Sequence, residues 1–310
     1  MKVAVLILNY SGADLLRKYL PSFQKAVQAS SHNCRLIVID NASTDASLDI
    51  LKKEFPDVAV HALGDNRVLC AYNEVMSRID DEIVLFMNND IRAEEGCVDP
   101  LVAPFLKDEK VFFTTPKCLG PTGRYEGNKT RGTVRFGLFG ATAIYPGHEA
   151  DIDRPGVTFQ GGFGAFDRKK FLALGGYDDL FLPGRLEDAD ICFRAFKRGW
   201  VCLYEPASVV HHEGGVSFHK IYGPRKTLVI NWRNTFLFMW KNLSDKLLVL
   251  RCSFWLPARL LGSILTGKLE IFEGYLEARA LKKEARQRKE ILRREGLLGT
   301  VSDRKIFRMR

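Results

Sequence analysis

The run Glu187-Asp188-Ala189-Asp190 places three carboxylates within four residues. Two readings fit it. Acidic side chains are favoured at a helix N-terminus by the free N–H groups and the macrodipole, and Ile191, Ala195 and Phe196 follow at helical spacing. The other reading makes one carboxylate a base at the mouth of a cleft. Elsewhere Asn9, Asp40, Asn66 and Asp90 each come just after an apolar run of strand length, and the pair His211-His212 lies just before two glycines. Turns favour Asn and Asp for their own reasons. Four successive strand ends bearing amides or carboxylates nevertheless describe one polar rim. A histidine beside a glycine turn is either a structural hydrogen bonder or a metal ligand.

The elements that must position these groups alternate. Residues 3–8, 34–39, 58–62 and 82–88 are apolar runs of strand length, and 14–27, 46–55 and 69–79 have helical spacing. This alternation predicts a parallel, doubly wound α/β sheet. Near-continuous apolar strands fit a sheet covered on both faces, and ligands of such sheets bind outside the carboxyl ends of the strands. Beyond residue 97 the pattern weakens. Residues 111–115 and 159–166 read as strands, and a short helix follows at 167–171. Residues 201–204 form a further strand, which leads through Glu205-Pro206 to 209–217. Residues 120–143, rich in glycine, arginine and aromatics, read as a flexible loop over the site.

Of the 310 residues 46% are apolar, enough for a large core. Seven cysteines without a CxxC pair exclude zinc-knuckle spacing, and their odd number speaks against a disulfide framework. Reduced cysteines in a cytosolic protein are expected. The N-terminal apolar run stops at Asn9-Tyr10, so it reads as a first strand and not as a signal peptide. No uninterrupted apolar run approaches the ~20 residues of a spanning helix. The net charge of +9 is unevenly placed: 21 Lys/Arg against 8 Asp/Glu from His219 onward, 25 against 29 before it. A near-neutral body with a basic tail speaks against nucleic acid, whose basic patch normally lies on the fold itself. It suits an anionic surface met by the tail. Residues 231–240 read as an aromatic helix. Residues 247–265, apolar but carrying Arg251, Pro257 and Arg259, read as a segment lying in the membrane interface. Residues 267–298 read as a long charged helix, either a solvated face or a contact with anionic lipid.

Several motifs in order and spacing resemble those of the family-2 glycosyltransferases, in particular their rhamnosyltransferase-like bacterial branch. These are Ile7-Leu8-Asn9-Tyr10, Asp40-Asn41-Ala42-Ser43-Thr44-Asp45, Asn88-Asn89-Asp90, the glycine-rich run from Gly161, Gly175-Gly176-Tyr177-Asp178, the carboxylate cluster and Val210-His211-His212-Glu213-Gly214-Gly215. The resemblance covers roughly residues 1–240. It implies the GT-A fold: one doubly wound, mostly parallel α/β sheet with a Rossmann-like nucleotide-binding half and an acceptor half. The implied division is a catalytic domain over 1–222, with a nucleotide-sugar half (1–96) and an acceptor half (97–222), and a basic amphipathic helical extension over 223–310.

The resemblance also implies roles. Asp40 would recognise the base of a nucleoside-diphosphate-sugar donor. Asn9, Tyr10, Asn41, Asn66, Arg67 and Asn89 would line the donor site. Asp90 would hold a divalent metal, Mg2+ or Mn2+, with His212 completing the site and His211 as its adjacent alternative. Asp188 would be the general base of an inverting transfer, with Gly162, Glu187 and Asp190 supporting it. The acceptor would be a glycan or lipid-linked sugar, and the enzyme would sit at the cytoplasmic face of the plasma membrane through its extension. Two departures stand out. The metal motif keeps one carboxylate, and Asn66-Arg67-Val68-Leu69-Cys70-Ala71 lacks the glycine of the family's Asn-x-Gly-Phe-Ala segment. They leave open a non-catalytic nucleotide- or sugar-binding protein. A sugar-1-phosphate nucleotidyltransferase would need a glycine-rich, basic signature after the first strand, which Asn9-Tyr10-Ser11-Gly12 does not provide.

Overall fold

The structure, a computed structural model, describes residues 1–143, 149–212 and 218–309. The N-terminal half alternates as expected: β1 (Lys2–Asn9), α1 (Ala13–Ala29), β2 (Asn33–Asp40), α2 (Ser47–Glu54), β3 (Ala59–Ala62), α3 (Ala71–Arg78) and β4 (Ile83–Asn88). There follow β5 (Ile91–Ala93), α4 (Val98–Lys107), β6 (Val111–Leu119), β7 (Tyr125–Gly127), β8 (Thr130–Arg135), β9 (Leu138–Ala143), α5 (Glu149–Ile152) and β10 (Gly156–Val157). The next elements are β11 (Gly164–Asp167), α6 (Arg168–Ala173), α7 (Glu187–Lys197) and β12 (Val201–His212). Helices α8 (Phe218–Asn242), α9 (Lys246–Leu265), α10 (Glu270–Ala280), α11 (Lys282–Arg294) and α12 (Asp303–Ile306) complete the chain.

The main sheet runs β10-β12-β6-β11-β4-β1-β2-β3, with β5 on β12 and β7 on β6. β3, β2, β1 and β4 are parallel neighbours, and β6 and β12 form a second parallel pair. β11 lies between the two groups and is antiparallel to both β4 and β6. Gly164 makes that insertion possible: at φ +139°, its missing Cβ would lie 2.1 Å from the carbonyl oxygen of Thr114. Successive residues of a strand face opposite ways. Val3, Val5 and Ile7 therefore join one core with α1 and α4, while Ala4, Leu6 and Phe86 join another with α3, α7 and α8. In the second core the Tyr72 ring stacks on Phe86 at 3.8 Å, and the Tyr72 hydroxyl donates to the Met87 carbonyl at 2.9 Å.

Three expectations need correction. Residues 120–143 are not an irregular loop: β7 joins the main sheet, and β8 and β9 form a separate antiparallel hairpin. The 201–204 strand does not end at Pro206. It continues as β12 to His212, with a register shift between Glu205 and Val209 that absorbs the proline. The long charged helix is two helices, α10 and α11, meeting at Leu281. Residues from 223 onward also belong to the body's core, since Phe236, Leu237 and Phe238 share one cluster with Phe113 and Phe193. Asp303 is fully buried against Lys197 and accepts from the backbone N–H groups of Ser244 and Asp245.

Candidate active site

The strand-end residues form one hydrogen-bonded frame. Asn9 and Asp40 end β1 and β2 and pair in register. Asn9 Nδ2 donates to Asp40 Oδ2 (3.1 Å) and to Ser43 Oγ (3.1 Å), and its Oδ1 accepts from Asn89 Nδ2 (2.7 Å). Asp40 Oδ1 accepts from the Ser43 backbone N–H at 3.0 Å. Asn41 Nδ2 donates to Asn66 Oδ1 (2.8 Å), and Asn41 Oδ1 accepts from the Arg67 N–H (3.0 Å). This ties the β3–α3 connection to the end of β2. Asn9, Asp40 and Asn41 are buried. Such a frame satisfies amide and carboxylate groups that would otherwise cost 1–3 kcal/mol each, roughly, if left unpaired.

In front of the frame lies a cavity of about 380 Å³, lined by Tyr10, Asn41, Asn66, Asn89 and Asp90 among others. Pro183 and the α8 residues Ile221 and Tyr222 close its far side. The sequence pointed to the first five and missed the last three, whose positions depend on a distant helix. Asp40 and Asn9 stand behind the cavity wall and are not among its lining residues. The Arg67 side chain does not face this cavity either. It lines a larger cleft bounded by α11, Gly176 and Asp178.

Asp90 and His212 meet at the edge of this cavity. Residue 212 pairs with Ile91 across β12 and β5, which brings His212 Nε2 to 3.2 Å from Asp90 Oδ2. The strand alternation sends His211 elsewhere, to Glu94 at 2.9 Å. His212 Nδ1 lies 3.0 Å from Glu126 Oε2. The bond to Asp90 raises the imidazole above its usual range, burial opposes it, and with Glu126 adding its charge the pKa reaches about 9. Glu126 is a residue that sequence reasoning missed; it lies on β7, inside the stretch without periodicity. The glycine pair after His212, within Glu213-Gly214-Gly215, lies outside the described residues.

The Asp90 carboxylate suits part of a divalent-metal site, and His212 would join it once a metal displaces the proton it shares with Asp90. Mg2+ or Mn2+ takes its remaining ligands from phosphate and water. Among the described residues no group of three or more His, Cys, Asp or Glu side chains converges as a ready cage. The protein's share of such a site is thus open and two-sided.

The carboxylate cluster starts α7, as the helix-start reading expects. The chain enters the helix through Arg185 and Leu186, at φ +80° and +69°. Positive φ costs a non-glycine residue about 1 kcal/mol or more, and persists where the surroundings fix it. Asp188 Oδ1 accepts from the Ala189 N–H at 2.8 Å. Its Oδ2 lies against Gly162, where an added Cβ would sit 3.9 Å away. β11 begins at Gly164, paired with Phe86 of β4, and Asp188 lies against the segment that leads into that strand. Burial raises the Asp188 carboxyl above its ordinary range, against the Ala189 N–H. Burial and the charge of Asp188 push Glu187 up to about 8, and Glu187 Oε2 is buried without a hydrogen-bond partner.

Asp190 points away from its neighbours and does structural work. Its Oδ1 accepts from Lys241 Nζ and Asn242 Nδ2, both at 2.7 Å, and its Oδ2 from Arg194 Nε at 2.7 Å. Lys241 also reaches Asp178 Oδ2 at 2.5 Å, and Asp178 pairs with Arg288 of α11. Burial would raise the Asp178 carboxyl, but Lys241 and Arg288 outweigh it and bring it down to about 2. This charge network bolts α8 and α11 to the start of α7.

A family model described as glycosyl transferase family 2 matches residues 4–174. The chain is 23% identical over 261 residues to the N-acetylglucosaminyl-diphospho-decaprenol L-rhamnosyltransferase of Mycobacterium tuberculosis (strain CDC 1551 / Oshkosh), covering 76% of this chain and 83% of the relative. Among solved structures it is similar to GalNAc-T7 with UDP, GalNAc and Mn2+, with a TM-score of 0.58 and 18% identity over 79% of this chain and 48% of the other. It is also similar to the mannosyltransferase PcManGT from Pyrobaculum calidifontis in complex with GDP-Man and Mn2+, with a TM-score of 0.51 and 15% identity over 95% of this chain and 86% of the other. The chain thus spans about half the length of the GalNAc-T7 chain. At these identities the structural likeness is one of fold, the GT-A fold.

Proposed function

The chain belongs to glycosyl transferase family 2, and from that membership we propose that it is an inverting enzyme using a nucleoside-diphosphate-sugar donor. The acceptor is a glycan or a lipid-linked sugar at the cytoplasmic face of a membrane. The observation that carries the reading is the cavity outside the carboxyl ends of β1, β2 and β4, lined by Tyr10, Asn41, Asn66 and Asn89 with Asp90 on its wall. The lipid-linked acceptor is supported by the mycobacterial relative, an N-acetylglucosaminyl-diphospho-decaprenol L-rhamnosyltransferase.

Tyr10, Asn41 and Asn66 present ring and amide surface to a nucleoside, and Asp40 fixes the frame behind them. Asp90 and His212 would hold a divalent ion, which supplies charge neutralisation to a diphosphate. Asp188 accepts the proton of the acceptor hydroxyl as its oxygen bonds to the anomeric carbon. The bond from that carbon to the diphosphate breaks on the opposite face, and its electron pair leaves with the diphosphate. A raised carboxyl pKa makes Asp188 a stronger base than a solvated carboxylate. Burial raises both neighbouring carboxyls, and a proton held on Glu187 would leave the charge of the pair on Asp188.

A second reading, binding without transfer, is favoured by the single carboxylate of Asn88-Asn89-Asp90. The two separate in one experiment. Thermal-shift titration with a panel of nucleoside diphosphates and their sugars, with and without Mn2+, identifies a donor, and product analysis then follows transfer. Stabilisation by one nucleotide-sugar with subsequent nucleotide release supports the enzyme. Stabilisation without turnover on any lipid-linked or glycan acceptor favours the binding protein, and no stabilisation by any nucleotide overturns both.

A further inference from the structure

Helix α9 turns an apolar stripe outward. Leu247, Leu250, Phe254, Leu261 and Leu265 are all exposed, Phe254 by 77%. At 3.6 residues per turn they fall within an arc of roughly 60°. The opposite side carries Leu248, Cys252 and Leu256, which pack against the body. The helix has no acidic residue, and the exposed cations Lys246 and Arg251 flank the stripe. By length and composition α9 could cross a membrane. With one side fixed to the protein, it can meet lipid only along the other.

The β8–β9 hairpin extends this face. Its turn is Phe136-Gly137, at φ +46° and +78°, between the paired residues Arg135 and Leu138. Two-residue turns of this kind favour Asn-Gly, because both positions need positive φ. A bulky aromatic at the first position is held there against its preference. Arg259 fixes it, with Nε donating to the Phe136 carbonyl at 3.2 Å and the guanidinium 5.3 Å from the ring centroid. Gly137 lets the turn close on α9, since a Cβ there would lie 2.7 Å from Trp255 Cβ. The Phe136 ring meets Trp255 edge-on at 5.4 Å, and Trp255 meets Phe254 at 6.2 Å. An aromatic row thus runs from the helix stripe to the hairpin tip, where Phe136 is half exposed.

We infer that α9 and the Phe136 hairpin tip together form one docking face for an anionic lipid bilayer, with α9 lying flat in the interface. Apolar and aromatic side chains flanked by Lys and Arg are what such an interface takes up. The inference rests on the membrane-facing part of the function proposed above and adds the hairpin as a second contact. It orients the catalytic body, because Phe139 of the same hairpin stacks on Phe238 of α8 at 3.9 Å.

The test uses the full chain with vesicles of phosphatidylcholine alone or mixed with phosphatidylglycerol, read by co-sedimentation. The wild type should prefer the phosphatidylglycerol vesicles and lose that preference in high salt. Phe254→Ser should weaken partitioning about tenfold, the scale set by losing most of one buried phenyl group. Phe136→Asn creates a favoured turn, so the hairpin stays folded; it should weaken partitioning about threefold with no loss of melting temperature. Wild-type partitioning by Phe136→Asn would overturn the hairpin's part. No vesicle binding by the wild type, with self-association abolished by Phe254→Ser, would make the face an interface between copies and overturn the inference. Nucleotide binding is measured on the same samples. Vesicle binding without it leaves the docking face standing and removes the transferase reading, and the converse removes only the docking face.

Discussion

Glu187→Gln is expected to make the protein more stable at alkaline pH and to remove a pH dependence. Glu187 is buried, one of its oxygens lacks a partner, and the charge of Asp188 is next to it. Its carboxyl is raised from 4.5 to about 8, chiefly by burial. A raised carboxyl means the folded state binds the proton more tightly than the unfolded chain. The stabilisation is therefore fully present below the unfolded value near 4.5 and is lost as pH rises through the folded value near 8. The full rise corresponds to a ceiling of roughly 5 kcal/mol at 1.36 kcal/mol per pH unit, and relaxation around the charged group brings the expected loss to about 2 kcal/mol. Glutamine keeps the shape and is never charged. Urea unfolding of wild type and variant from pH 5 to 9 should give curves that diverge in the variant's favour as pH rises. Curves that remain parallel across this range would refute the argument that Glu187 is held neutral.

The other predictions concern separate parts of the site. Asp90→Ala should abolish the dependence of nucleotide-sugar affinity on Mn2+, as seen by calorimetry; equal affinity with and without metal in the wild type would remove the metal role. His212→Ala should reduce metal-linked affinity, whereas His211→Ala should not, because His211 faces Glu94. Asp190→Ala should destabilise the fold by about 3 kcal/mol in urea, since it strips a buried carboxylate from Lys241 and Arg194. A surface-like loss of a few tenths would mean the network is looser than its distances indicate. Truncation after Trp240 should abolish cooperative unfolding in urea, because it removes Lys241, Asn242 and Asp303 from the core.

The half of the fold that holds the nucleotide frame was legible for a physical reason. Parallel strands buried on both faces read as apolar runs, and the first polar residue after each run marks the strand end. Asn9, Asp40 and Asp90 were found that way. Glu126 was not, because its partner His212 is 86 residues away and its own strand is three residues long. The hairpin at 130–143 was hidden by a composition without period. Its turn is held by Arg259 and Trp255, more than a hundred residues further on. In the carboxylate cluster the residue types alone could not divide the work. Asp190 is committed to the scaffold by Lys241 and Asn242, over fifty residues downstream, while Asp188 stands outside that network, against Gly162.

The central claim is that Asp188 takes the acceptor proton. It is tested most directly by Asp188→Asn in single-turnover transfer with the identified donor and acceptor, alongside donor binding by calorimetry. The expected result is donor affinity within about twofold of wild type and a transfer rate lower by about 10³-fold or more, the upper range for loss of a positioned base. Transfer at a near wild-type rate would contradict the account.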